Sequence, residues 1–164
     1  MERFAADLSS GLYRMTPDDS FAASFIAIYD SAAGGLDYIN CGHSPEPWIV
    51  PADPARAVVT LDDARAVLLG VLPELPAEAH HKPIGPGDKL VFATDGLSEA
   101  MDLDGEQYGI DRLYELIDAC RRCPATEIVD RILRGVAEFS AGTEQRDDQT
   151  VLAMEVKPSA PPAA

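Results

Sequence analysis

Apolar residues recur along this chain with two distinct periods. Phe4, Leu8, Leu12 and Met15 return at helical spacing, so residues 1–15 read as a helix with that stripe facing inward. Thr16-Pro17-Asp18-Asp19 breaks it. Residues 21–29 then read as a strand, with Phe25, Ile26, Ile28 and Tyr29 mostly buried. A turn at Ala33-Gly34-Gly35 leads to a second strand over 36–41, which makes a hairpin. Gly42-His43-Ser44-Pro45 turns the chain again, and Trp48–Val50 is short and extended. Residues 51–56 are a polar loop. Two further apolar runs follow at 58–61 and 67–72.

Pro83-Ile84-Gly85-Pro86-Gly87-Asp88 is a dense turn cluster. The run Lys89–Thr94 reads as a central strand, apolar on both faces, that ends at Asp95-Gly96. Two amphipathic helices come next. Ile110, Leu113, Leu116, Ile117 and Cys120 share one face; Ile128, Val129, Ile132, Leu133, Val136 and Phe139 share another. Pro124 stands where a first helical residue would be. Residues 141–146 are a loop and 150–156 a last strand. The stretch 158–164 is low in complexity and reads as a disordered tail. Hairpin-linked strands followed by paired helices give an α+β class with antiparallel sheet, not alternating βαβ units.

Composition narrows the function. The chain has 164 residues and a formal charge of −15, enough for one domain of ordinary size. An acidic chain lacks the basic footprint of a nucleic-acid binder and is ill-suited to an anionic membrane surface. No apolar run approaches the about 20 residues of a membrane span. Three cysteines and no signal-peptide pattern point to a reducing cytoplasm. Cys120 and Cys123 form a lone C-x-x-C and read as helix-end packing.

Two acidic spots could carry chemistry. Asp95 and Gly96 close the most buried-looking strand, and Asp147-Asp148 precede the last one. If those strands are neighbours, Asp95 and Asp147 meet at one end of the sheet. Clustered carboxylates repel one another, and a hard cation such as Mg²⁺ or Mn²⁺ relieves that cost. On spacing alone the alternative stands beside it: Asp-Gly is a common turn and Asp-Asp a common solvated loop. His43 reads as a hydrogen-bonding turn residue, and His80 and His81 as solvated loop residues before a polar strand. No G-x-S-x-G, Gly-rich phosphate loop or activated cysteine is present.

Five motifs in order resemble one family. They are Asn40-Cys41-Gly42-His43-Ser44-Pro45, Leu69-Gly70-Val71-Leu72-Pro73, the run from Gly87-Asp88 to Thr94-Asp95-Gly96-Leu97-Ser98-Glu99-Ala100, Gly105-Glu106-Gln107-Tyr108-Gly109, and Arg146-Asp147-Asp148-Gln149-Thr150. Residues 5–157 resemble the metal-dependent serine/threonine phosphatases of the protein phosphatase 2C type, in the bacterial subgroup named for the sporulation stage II phosphatase E. That resemblance implies an antiparallel β-sandwich flanked by helices, with a phosphatase domain over 1–157. It implies a dinuclear Mn²⁺ or Mg²⁺ site and metal-activated water that dephosphorylates phosphoserine or phosphothreonine. Asp95 and Asp147 match metal ligands, Asp148 is a neighbouring candidate, and Gly96 lets the backbone turn beside the metals. Asn40 and His43 shape the sheet edge, and Glu99 and Glu106 are given no catalytic role. The implied substrate is a phosphorylated anti-sigma-factor antagonist or similar signalling protein, with an upstream sensor or receiver domain.

One departure matters. The family's first metal motif, G-D-x-S-G-H-G, has no match in this chain. The expected fold therefore lacks its N-terminal strands, and edge pairing or a homodimer is expected in compensation. Either the chain is a piece of a longer phosphatase, or it is a catalytically inactive binding or regulatory module.

Overall fold

The computed structural model describes residues 1–17, 20–63 and 65–158. The chain divides into two compact units, Met1–His43 with Leu61–Gly85, and Ser44–Thr60 with Pro86–Ala164.

In the first unit, helix α1 (Glu2–Met15) precedes strands β1 (Ser24–Asp30) and β2 (Gly35–Cys41). A later strand, β5 (His80–Pro83), completes a three-stranded antiparallel sheet of order β1-β2-β5. The predicted hairpin is present, with Ser24 opposite Cys41 and Asp30 opposite Gly35. Central β2 is the buried strand. Edge strand β1 is exposed from Ala27 to Asp30, so Ile28 and Tyr29 do not occupy the predicted core. His80 and His81 lie on β5 itself and not in a loop before it.

Helix α1 turns a different face inward from the expected one. Phe4, Leu8 and Met15 are exposed, while Ala5 and Ser9 are buried. Ala5 packs with Ile39, Cys41, Leu69 and Leu75, with Met1 and Leu12 beside them. Small residues are needed here because a backbone comes close: Ser9 Oγ accepts from the Gly70 N–H at 3.0 Å. A Cβ at Gly70, whose φ is +86°, would lie 3.3 Å from the Leu12 Cβ. Alanine and serine carry little hydropathy signal, so the pattern pointed to the wrong stripe. The apolar run 67–72 forms no strand; Leu69 makes a single bridge to Ala22.

The second unit holds β3 (Trp48–Val50), β4 (Val59–Thr60), β6 (Lys89–Ala93) and β7 (Val151–Glu155), all antiparallel in the order β4-β3-β6-β7. Interior strand β6 is the predicted central strand. Trp48 lies opposite Val91. With Val50 and Ala93, these two meet Leu113, Ile117, Ile128, Ile132 and Val136 in one core. Those five residues come from α3 (Ile110–Ala119) and α4 (Ala125–Phe139), the two predicted helices. Each fully buried Leu, Ile or Val contributes roughly 1.5–3 kcal/mol relative to exposure. Ile110 and Leu133, which share those apolar faces in the sequence pattern, are exposed. Pro124 is the N-cap of α4 and not its first residue; its carbonyl accepts from the N–H groups of Glu127 and Ile128. Cys120 is buried at the end of α3, in keeping with helix-end packing, and the Cys123 N–H donates to its carbonyl.

The architecture is α+β with antiparallel sheets and helices. The expected disordered tail falls mostly on residues 159–164, outside the described residues. No described helix is long and apolar enough to cross a membrane.

Candidate metal-bearing end of the central strand

Strands β6 and β7 are neighbours, and their last paired residues are Ala93 and Val151. The chain leaving β6 and the chain entering β7 therefore emerge at the same sheet end. A set of hydrogen bonds fastens them. Thr94 N–H donates to Thr150 O at 3.1 Å, and Thr150 N–H donates to Thr94 Oγ1 at 2.9 Å. Thr94 Oγ1 donates to Asp148 O at 2.8 Å, and Gln149 Nε2 donates to Gly96 O at 3.2 Å.

Gly96 is where the two segments come closest. A Cβ there would lie 2.5 Å from Asp148 O, 3.0 Å from Asp148 C and 3.2 Å from Asp147 C. Its backbone is not left-handed, so the glycine serves close approach and not the tight turn expected for it. The chain does not simply turn at Asp95-Gly96. It forms a single helical turn, α2 (Asp95–Ser98), with Thr94 as its extended N-cap. Glu99 N–H and Ser98 Oγ both donate to Asp95 O.

The carboxylates are exposed, and each accepts from the next backbone amide. Gly96 N–H donates to Asp95 Oδ1 at 3.0 Å, and Asp148 N–H to Asp147 Oδ1 at 2.7 Å. Asp95 and Asp147 reach the same sheet end but line different clefts. Asp95 lines a shallow one with Ser44, Ser98, Gln107 and Asp111. Asp147 and Gly96 line a cleft of about 210 Å³ with Met101, Thr143, Glu144 and Arg146. Glu99 borders both. Asp148 enters neither; its carbonyl serves Thr94.

Mg²⁺ and Mn²⁺ favour about six oxygen ligands. Among the described residues, no three His, Cys, Asp or Glu side chains converge as a metal site. Asp95 and Asp147 alone do not make up a dinuclear centre.

Other motif residues have structural roles. In the Gly105–Gly109 segment, Glu106 pairs with Arg112 at 2.5 Å. Arg112 also donates to Gln107 O and Tyr108 O, and lies 4.9 Å from the Phe139 ring centroid. The Glu106 hydrogen bond pushes the Arg112 pKa up. Asn40 and His43, in the first unit, hold a reciprocal turn: His43 N–H donates to Asn40 Oδ1 and Asn40 Nδ2 to His43 O. Sequence reasoning passed over Arg112 and Arg146. Arg146 had an available signal, since it stands directly before Asp147 in a motif already singled out.

Residues 1–157 match the family described as stage II sporulation protein E. Protein IcfG of Synechocystis sp. is 30% identical over 134 residues, covering 82% of this chain and 20% of its own length. The chain thus spans about a fifth of that curated relative. The RsbU and RsbW domains of Rv1364c from Mycobacterium tuberculosis superpose with a TM-score of 0.75 at 22% identity, over 93% of this chain and 41% of theirs. The phosphatase domain of SpoIIE from Bacillus subtilis, presoaked with Mn, gives a TM-score of 0.68 at 17% identity, over 98% of this chain and 69% of that one. These structural likenesses establish the fold. The match over nearly the whole chain establishes the family: this chain belongs to the stage II sporulation protein E family.

Proposed function

We propose that the shared end of β6 and β7 serves the Mn²⁺- or Mg²⁺-dependent hydrolysis of phosphoserine or phosphothreonine on a cytoplasmic signalling protein. The observation that carries this reading is the fastening of Thr94-Asp95-Gly96 to Asp147-Asp148-Gln149-Thr150, with Gly96 too close to Asp148 for any side chain. A contact that excludes even a methyl group fits two acidic segments that must be held in fixed relation. In the reaction, water displaces the serine or threonine oxygen at phosphorus and releases inorganic phosphate. An anti-sigma-factor antagonist is the substrate class in keeping with relatives that carry RsbU and RsbW domains. An upstream sensor or receiver domain and a homodimer belong to the same reading.

A second reading has its own support. With no three-ligand group among the described residues, the chain by itself suits an inactive binding module.

Phosphate release from a phosphoserine protein, with and without Mn²⁺, separates the two. Loss of a supporting partner around a metal costs 10–100-fold, so Asp95→Asn is expected to cost at least about 100-fold. Metal-dependent turnover untouched by Asp95→Asn refutes the site. Silence of this chain, and continued silence of a version extended upstream, favours the binding module.

A further inference from the structure

We propose that Arg146 is the specificity-determining residue that receives the substrate's phosphoryl group in the cleft beside Asp147. The proposal rests on the hydrolytic reading above and assigns the anion's seat within that site.

Of the residues lining that cleft, three are carboxylates, Glu99, Glu144 and Asp147. A phosphomonoester carries nearly two negative charges near neutral pH. Such walls repel it unless a cation meets it. Arg146 is the sole cation in the lining.

Its side chain is also uncommitted. Arg112, Arg121 and Arg131 in the same unit each engage a carboxylate, Glu106, Asp118 and Glu127 respectively. Arg146 makes no ion pair among the described residues, although acidic side chains line the cleft with it. Its Nη1 donates only to Met101 Sδ, at 3.4 Å. A thioether is a weak acceptor, and a guanidinium has five N–H donors. The planar fork that remains matches two phosphate oxygens.

The backbone segment that carries Arg146 is fastened on both sides. Arg146 directly precedes Asp147, and the next carbonyl, that of Asp148, is bound by Thr94. On the other side, Thr143 Oγ1 donates to Met101 O at 2.8 Å and pins the 140–149 segment across the cleft. The cation is therefore anchored at the reacting end through short connections.

The test is binding, which does not require turnover. A fluorescent phosphoserine peptide and its unphosphorylated form are titrated into the full chain with EDTA present. Wild type is compared with Arg146→Ala, Arg146→Lys and Arg134→Ala, the last an exposed arginine on α4. The expected result is phosphate-dependent binding that Arg146→Ala weakens about tenfold. Arg146→Lys falls between, because an ammonium lacks the fork. Arg134→Ala retains it. Equal affinity of wild type and Arg146→Ala, binding without phosphate dependence, or no binding by wild type overturns the proposal. Where a preparation turns over, Arg146→Ala is expected to raise KM with kcat nearly kept, and an unchanged KM overturns it. Arg146-dependent binding without turnover in any preparation defeats the hydrolytic reading and leaves this inference standing.

Discussion

Replacing Gly96 by alanine tests whether close approach, and not backbone freedom, is what that position requires. The added methyl would sit 2.5 Å from Asp148 O, where ordinary contact begins at about 3.4 Å. The carbonyl must therefore retreat by about 0.9 Å, and it has little room to do so. The same oxygen accepts from Thr94 Oγ1 at 2.8 Å, and a retreat of that size along the bond stretches it to about 3.7 Å, beyond hydrogen-bonding distance. Overpacking of this kind costs about 1–3 kcal/mol, and the weakened hydrogen bond adds about 1 kcal/mol. Alanine's better helix propensity returns about 0.5–1 kcal/mol. The net expectation is a loss of about 1–3.5 kcal/mol. Gly11 provides the opposite case: it lies inside α1, and a Cβ added there would meet nothing within 4 Å, so Gly11→Ala is expected to stabilise by about 0.5–1 kcal/mol. Trp48 is the single tryptophan and lies in the core of the second unit, so its fluorescence during urea unfolding reads the Gly96 variant directly. Far-UV ellipticity reads the Gly11 variant. A Gly96→Ala protein as stable as wild type would refute the close-approach argument.

Two further expectations concern the ion pairs. Burial raises the pKa of Asp63, but hydrogen bonds from Lys82 and Tyr38 and the Lys82 charge win and hold its carboxyl down at about 2. A lowered folded pKa gives stability that is present above about pH 4 and fades as pH falls toward 2. The shift of 3.8 to about 2 corresponds to about 2.4 kcal/mol, which exposure of the Asp63 side chain reduces to roughly 1 kcal/mol. The unfolding free energy from urea titrations followed by the Ile39 amide signal should fall by that amount between pH 4.5 and 2, and Asp63→Asn should remove most of the slope. Arg112→Ala loses the Glu106 pair, two carbonyl contacts and the Phe139 ring, an expected cost of about 1–2 kcal/mol by Trp48 fluorescence. Arg112→Lys should recover less than half of it, because an ammonium cannot span three acceptors in one plane.

The parts of the fold that were legible in the sequence are those whose buried side chains are large and apolar. Strand β6 and helices α3 and α4 qualify: Val91, Leu113, Ile117, Ile128 and Ile132 announce their faces, and hairpin β1-β2 is announced by its Gly-Gly turn. What escaped has local physical causes. On α1, packing against the Gly70 backbone selects Ala5 and Ser9 over Phe4 and Leu8, and small residues leave no periodic apolar trace. On β1, β-forming residues occupy an edge, so Ile28 and Tyr29 looked like core and are not. His80 and His81 join β2 through backbone bonds, His81 also pairs with Asp37 on that strand and His80 with Asp63, none of which a hydropathy pattern encodes.

The candidate site shows the same division between motif and geometry. Asp95 and Asp147 could be named from short patterns, and their meeting at one sheet end followed only if β6 and β7 were neighbours, which they are. The motif could not reveal how the segments are joined. The joining depends on a threonine hydroxyl placed between two backbones and on a glycine whose missing methyl lets a carbonyl come within 2.5 Å of its Cβ position. It also could not reveal that, with a turn of helix beginning at Asp95, the two acidic residues line separate clefts. Alongside that separation, the chain has no match to the family's first metal motif, and the described residues hold no three-ligand group. Glu99 borders both clefts. A cation bound there would have to draw on donors besides these two carboxylates, whereas an anion entering the Asp147 cleft already meets a guanidinium. The order of the tests follows: binding by Arg146 can be measured on this chain before any metal-dependent turnover is sought.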